Sequence, residues 1–199
     1  MSPEDRPRWN HNIHFHPVIL SAVPSSARSA LDVGTGNGLL AVGLRRTVPD
    51  VVAIDVDAQV LDEAALSHPD IHWQRADVMT HNFGRRFDVV ASVATLHHLP
   101  DPHVALARLA ELTAPGGVLA VVGLARASTV ADHARSVVGA VQHQWYSRTR
   151  NVWEHTAPTV WPPPHTYAEV RRAVREVLPG ARWRQHAMWR YSVVWRKDA

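Results

Sequence analysis

The stretch LDVGTGNGLL, Leu31 to Leu40, limits the fold more than any other part of this chain. An apolar strand ends in Asp32, glycines follow at 34, 36 and 38, and an apolar helix begins directly after them. Glycine backbone can turn with positive φ, and with no Cβ it lets a ligand come close at the helix N-terminus, where N–H groups point outward. A strand–turn–helix unit of this kind suits a nucleotide-type ligand and needs a sheet around it.

The rest of the chain supplies that sheet. SALDVG, VVAIDV, IHWQRADV, FDVVASV and GGVLAVVGL are apolar runs of strand length, and most are followed by helical stretches such as AQVLDEAALSH and PHVALARLAEL. Runs so rich in Val, Ile and Leu, without alternation, fit strands buried on both faces of a parallel sheet. The fold class is therefore α/β, doubly wound. Three segments break the pattern. The N-terminal WNHNIHFHPVILSAVP holds a short helix that Pro17 could open at its first position. A stretch rich in Trp, His and Pro over residues 127–165 is too long for a simple loop. TYAEVRRAVREVLPG reads as a helix stopped by Pro179 and Gly180, and ARWRQHAMWRYSVVWRK as two strands joined by almost no turn. This divides one domain into a lid and helix (1–28), a core (29–126), an inserted cap (127–165) and a closing helix and hairpin (166–199).

Composition narrows the chemistry. The 199 residues, 46% hydrophobic, suit a single domain. With no cysteine, disulfides, thiolate metal sites, Fe–S clusters and cysteine nucleophiles are excluded. No apolar run reaches the roughly 18 residues of a membrane span, and the charged start MSPEDRPRWN is unlike a signal peptide, so a cytoplasmic protein without a membrane partner is expected. Residues 1–125 carry nine arginines against 13 acids, whereas residues 126–199 carry eleven arginines and one lysine against five acids. The basic half could meet an anionic partner, but its arginines form no run like a nucleic-acid tail and read as a solvated face.

The dinucleotide pattern GxGxxG would need a third glycine at Leu39. The motif here is D-x-G-x-G-x-G instead. The next strand ends in Asp55, placed to accept both hydroxyls of a ribose, and Asp77 after the third strand could accept from an exocyclic adenine amine. Through LDVGTGNG, AIDVD, RADV, FDVVASVATLHHLPDP and LTAPGGVLAVVG the chain resembles the class I S-adenosylmethionine-dependent methyltransferases, most of all their type 11 (ubiquinone-biosynthesis-like) group. The resemblance implies a Rossmann-like, seven-stranded, doubly wound sheet closed by an antiparallel C-terminal hairpin. It implies S-adenosylmethionine as cofactor and S-adenosylhomocysteine as product. Gly34, Thr35 and Gly36 would line the methionine and ribose, with Gly38 completing the turn, and Asp55 would hold the ribose. Val56 would touch the adenine face, Asp77 and Val78 its edge, and Ser92, Val93 and Ala94 would lie near the sulfonium. Asp32 would serve the cofactor or only tie down the loop.

His97 and His98 follow the fourth strand at the mouth of this site and could take a proton from a phenol, acid or amine. The LHHL sequence is common across the type 11 group, so one of them could simply pack on the cofactor. The N/D-P-P-Y/F signature of exocyclic-amine methylation is replaced by SVAT, and the Asp and Asp-Asn positions of metal-dependent catechol enzymes by SVATL and GLARAS, so no metal is expected. His11, His14 and His16 have no supporting carboxylate and no established metal spacing. With the family's lid in mind, Trp9, Asn12, His14 and His16 read as a cover over the cofactor. Trp145, Tyr146, Trp153, His155 and Trp161 offer aromatic surface for a flat or apolar acceptor, or pack the insertion onto the sheet. Trp183, Trp189 and Trp195 among Arg182, Arg184, Arg190 and Arg196 read as cover for an edge strand rather than a nucleic-acid platform.

The expected activity is methylation of a small, aromatic or hydrophobic metabolite at oxygen, nitrogen or carbon. The alternatives are an RNA or protein methyltransferase using the basic C-terminal face, and a nucleotide-binding oxidoreductase. Oligomeric state is not legible.

Overall fold

A computed structural model describes residues 8–153 and 160–199. Seven strands form one sheet: β2 (Ser29–Val33), β3 (Asp50–Asp55), β4 (His72–Arg75), β5 (Phe87–Val93), β6 (Thr113–Leu124), β8 (Arg182–Gln185) and β9 (Arg190–Arg196). Their order is β4-β3-β2-β5-β6-β9-β8, with the first five parallel and β9 antiparallel to both β6 and β8. The central positions Leu31, Ala53, Val90 and Leu119 are fully buried, as strands covered on both faces require.

One face carries α1 (His11–Leu20) and α2 (Leu39–Arg45), whose Phe15, Ile19, Leu40 and Leu44 pack on the alanines and valines of β2, β5 and β6. Beside them, α3 (Ala58–Ser67) packs on β3 and β4. The other face carries α4 (Pro102–Leu112) and α6 (Tyr167–Val177), which meet over Leu106, Leu109, Val170 and Val174. Helix starts follow local chemistry: Asp101 and Thr166 cap α4 and α6, and Glu169 completes a capping box on the latter.

The first helix does not begin at Pro17. Asn10 is its cap, accepting from the Ile13 N–H at 2.8 Å, and Pro17 lies inside the helix on the exposed side. Burial of Phe15 and Ile19 holds the helix through a residue that cannot donate to the preceding turn.

The long insertion is mainly one helix, α5 (Val130–Thr149), with Thr129 and Asp132 as its capping box. After it, β7 (Asn151–Val152) pairs in parallel with β1 (Arg8–Trp9), the start of the described chain. The Trp153 N–H donates to the Trp9 carbonyl at 2.9 Å, and Asn10 Nδ2 donates to the Trp153 carbonyl at 3.3 Å. The N-terminal segment and the 127–165 stretch are thus joined by backbone. Gly139 lets α5 pass close to the chain between β8 and β9, since a Cβ there would overlap the Met188 backbone.

The hairpin connection is longer than expected. Residues 186–189 separate β8 from β9, with Met188 and Trp189 at φ +57° and +58°. Trp189 therefore sits in the turn and not in a strand. The edge of the sheet is β8, whereas β9 is interior, so its side chains are not edge cover.

Candidate active site

The glycine turn leaves β2 at the carboxyl edge of the sheet. Gly34, Gly36 and Gly38 all have positive φ, at +69°, +51° and +77°. A Cβ on Gly34 would overlap the Thr95 hydroxyl and one on Gly38 the Trp73 ring, so these two glycines are needed for packing. Gly36 differs: a Cβ there would meet nothing within 4 Å, so its backbone faces open space at the edge. Asp32 lies beneath the turn, 1% exposed. It accepts from the Thr35 hydroxyl at 2.7 Å, and burial pushes its carboxyl up to about 7. Its geometry is that of a group tying down the loop.

Asp55 ends β3 and faces the same turn. The Gly36 N–H donates to one carboxylate oxygen at 2.9 Å and the Asp57 N–H to the other at 3.1 Å. These bonds fix the orientation of the carboxylate while leaving lone pairs on both oxygens for a diol. Val56 beside it is 63% exposed, an apolar surface on the rim. Asp77 accepts from the Met79 N–H at 2.9 Å, and Val78 is buried. These residues come from three consecutive strand ends.

The end of β5 buttresses the glycine turn. Ser92 is 1% exposed and donates to the Val33 carbonyl at 3.1 Å, so its hydroxyl braces the glycine turn from below. Val93 and Ala94 are half-buried, and Ala94 is held at φ +55°, a strained conformation for a residue with a side chain. Thr95, absent from the sequence reading, donates to the Val33 carbonyl at 3.2 Å and fills the space under Gly34. Nothing in the sequence marked it beyond its place after SVA.

His97 and His98 occupy one 3-10 turn, with ring centroids 4.1 Å apart, yet they face different surroundings. His98 is exposed and within electrostatic reach of Asp55, on the glycine-turn side. His97 is 8% exposed, within reach of Arg190 of β9, and its Nδ1 is buried without a hydrogen-bond partner among the described residues. Burial holds the His97 ring neutral, its pKa down at about 4.

The N-terminal residues form an aromatic cluster with the insertion. Trp9 is 2% exposed, 5.2 Å from the Tyr146 ring and 6.1 Å from His143, and it donates to His14 at 3.4 Å. His14 stands 5.1 Å from Tyr146, and Asn12 accepts from Arg190 Nη2 at 3.0 Å. His16 is half-buried, and burial alone lowers its pKa to about 4. No group of three or more His, Asp or Glu gathers to hold a metal among the described residues. Tyr146 and half-buried Trp153 join this stretch to the N-terminal segment, whereas Trp145 is 67% exposed and points away, lining a groove with Val137 and Val141. His155 lies outside the described residues. Trp161 stands 6.3 Å from Trp189 at the hairpin turn.

Arg190 is the residue whose reading changes most. It is 7% exposed, and among the described residues no carboxylate pairs with it, so it is not part of a solvated face. Its place at the head of an apolar strand, RYSVV, was the one sign of burial in the sequence.

Known proteins share this fold. The family model described as "Methyltransferase domain" matches residues 31–121. Uncharacterized methyltransferases of Mycobacterium bovis and Mycobacterium tuberculosis are each 42% identical over 195 residues, covering 96% of this chain and 98% of theirs. The chain belongs to the class I S-adenosylmethionine-dependent methyltransferases. A ubiquinone biosynthesis O-methyltransferase of Azorhizobium caulinodans is 32% identical over 148 residues, 71% of this chain and 57% of that one. The fold is that of an N-methyltransferase of Bradyrhizobium japonicum solved with S-adenosylhomocysteine, with a TM-score of 0.64 at 19% identity over 98% of this chain and 90% of that one.

The methyltransferase uses S-adenosylmethionine, and its own residues fit that cofactor. The open backbone at Gly36, the oriented Asp55 carboxylate and the apolar rim at Val56 match a chain bearing an amine, a ribose diol and a flat base. Family membership sets aside the nicotinamide oxidoreductase alternative. No helix among the described residues is long and apolar enough to cross a membrane.

Proposed function

We propose that this methyltransferase modifies a small, aromatic or hydrophobic metabolite at oxygen, nitrogen or carbon. The carrying observation is the β1–β7 pairing, which joins the N-terminal lid to the insertion beside the carboxyl edge of the sheet. With Trp9, Tyr146, Trp161 and Trp189 around it, this covered region suits a compact acceptor better than a polymer. The ubiquinone biosynthesis relative, an O-methyltransferase, agrees with that reading.

In this reading Gly34, Thr35, Gly36, Asp55, Val56, Asp77 and Val78 hold the cofactor, which supplies a methyl group already activated on a sulfonium. The protein then positions the acceptor in line, at roughly 3 Å, and keeps water away. Trp9 and Asn12 close the cover. His98, exposed beside the cofactor pocket, is placed to accept a proton where the acceptor carries one. His97, buried and neutral, faces the acceptor side.

Calorimetric titration with S-adenosylhomocysteine, with NAD as control, tests the cofactor assignment. Micromolar binding of the former alone is expected. A labelled-methyl screen of aromatic metabolites then tests the acceptor class. Labelling of RNA or protein, with steep loss on adding salt, would replace the small-molecule reading with a polymer one.

A further inference from the structure

Among the described residues four polar atoms in this region are buried without a hydrogen-bond partner: Arg190 Nε, His97 Nδ1, His11 Nε2 and His143 Nδ1. They belong to one cluster, because Arg190 acts electrostatically on His11 and His97, and the His143 ring lies 4.9 Å from that of His11. Arg190 Nη2 donates to Asn12 Oδ1, and Tyr167 also lies within electrostatic reach. Burial lowers the guanidinium pKa only to about 10, so it stays charged, while His11 and His97 at about 4 stay neutral. A desolvated cation with a neutral amide as its polar contact is costly unless an anion completes it.

We propose that Arg190 is a specificity-determining residue that binds a carboxylate on the methyl acceptor. Its position separates this role from cofactor binding. Arg190 pairs with Leu124 at the carboxyl edge, and three strand spacings from β2 to β9 put its backbone about 14 Å from the glycine turn. The guanidinium fork matches a carboxylate with two parallel hydrogen bonds. The single charge of the buried guanidinium, with His11 and His97 neutral beside it, favours a carboxylate over a phosphate dianion. His97 Nδ1 and His11 Nε2 supply further polar contacts to the same group.

This inference rests on the small-molecule reading above, and the experiment separates the two. The purified full chain is titrated by calorimetry with benzoate, benzamide, octanoate, octanamide and phenyl phosphate, each with and without saturating S-adenosylhomocysteine. At least one carboxylate is expected to bind tenfold or more tightly than its amide, and the preference is expected to vanish in Arg190→Met. Affinity of that variant for S-adenosylhomocysteine should stay within twofold, and its melting temperature should hold or rise, since a buried unpaired cation is removed. Equal binding of acid and amide, no carboxylate binding, or preference for phenyl phosphate would overturn the assignment. A matching loss of S-adenosylhomocysteine affinity in Arg190→Met would assign the cation to the cofactor instead. If the wild-type chain fails to bind S-adenosylhomocysteine, the cofactor pocket is misread, while the titrations without it still report the charge preference at Arg190.

Discussion

Asp55 shows how much a single side chain contributes when backbone fixes its direction. Two N–H groups orient the carboxylate, so in its proposed role removing it would cost charge-assisted hydrogen bonds to a ribose diol and free the loop as well. Asp55→Ala should weaken S-adenosylhomocysteine binding at least tenfold by calorimetry, and unchanged affinity in a folded variant would end the ribose assignment. Gly34→Ala should be worse for the fold than for any one contact. A methyl there meets Thr95 and also demands positive φ, a combined cost of about 1–3 kcal/mol or more that a denaturant midpoint would register. Histidines divide the remaining chemistry between them. If His98 is the base, His98→Ala should lower kcat on an identified protonated acceptor by about a hundredfold and flatten the pH profile. Intact turnover in both His98→Ala and His97→Ala would remove the base from the mechanism. Asp55 and the glycines were legible from spacing. Thr95 was not, because a threonine under a loop looks in sequence like any other, and Arg190 was marked only by its place at the head of an apolar strand.

At the scale of elements, α5 and the N-terminal strand act as one unit. The helix is held at one end by Gln185, whose amide donates to Asp132 at 2.8 Å, and in its middle by the close approach at Gly139. At its other end Tyr146 packs on Trp9 and β7 pairs with β1. Gly139→Leu would push the helix off the hairpin turn. Such a variant should lose acceptor affinity while S-adenosylhomocysteine affinity stays within a few-fold, as KM against calorimetry would report. Equal loss of both would mean that the insertion supports the cofactor pocket too. Sequence length and aromatic content marked this segment as an insertion, yet its helical face could not be assigned. Trp145 and Tyr146 are neighbours in the chain, and rotation about the helix sends one to solvent and the other to the lid.

For the whole molecule, the histidines kept neutral by burial predict how stability follows pH. His11, His16 and His97 each titrate near 4 in the folded chain against 6.5 for the free side chain, so the unfolded state binds more protons between those values. Stability should therefore fall as pH drops from about 6.5 to 4. Asp32, raised to about 7, works in the opposite sense across the same window, but it is one group against three. The melting temperature should decline steadily on acidification from pH 7, and a flat profile would show that these rings are not held neutral by burial. The alternation of apolar strands and helices, the glycine turn and the carboxylates behind it determined the sheet, its direction and the cofactor, because backbone conformation and strand-end position are local properties. Tertiary structure alone decided that β9 is an interior strand, that β1 pairs with β7, and that Arg190 is buried within reach of His97. Those facts depend on which distant segments share one edge of the sheet, and residue spacing along a chain does not record that.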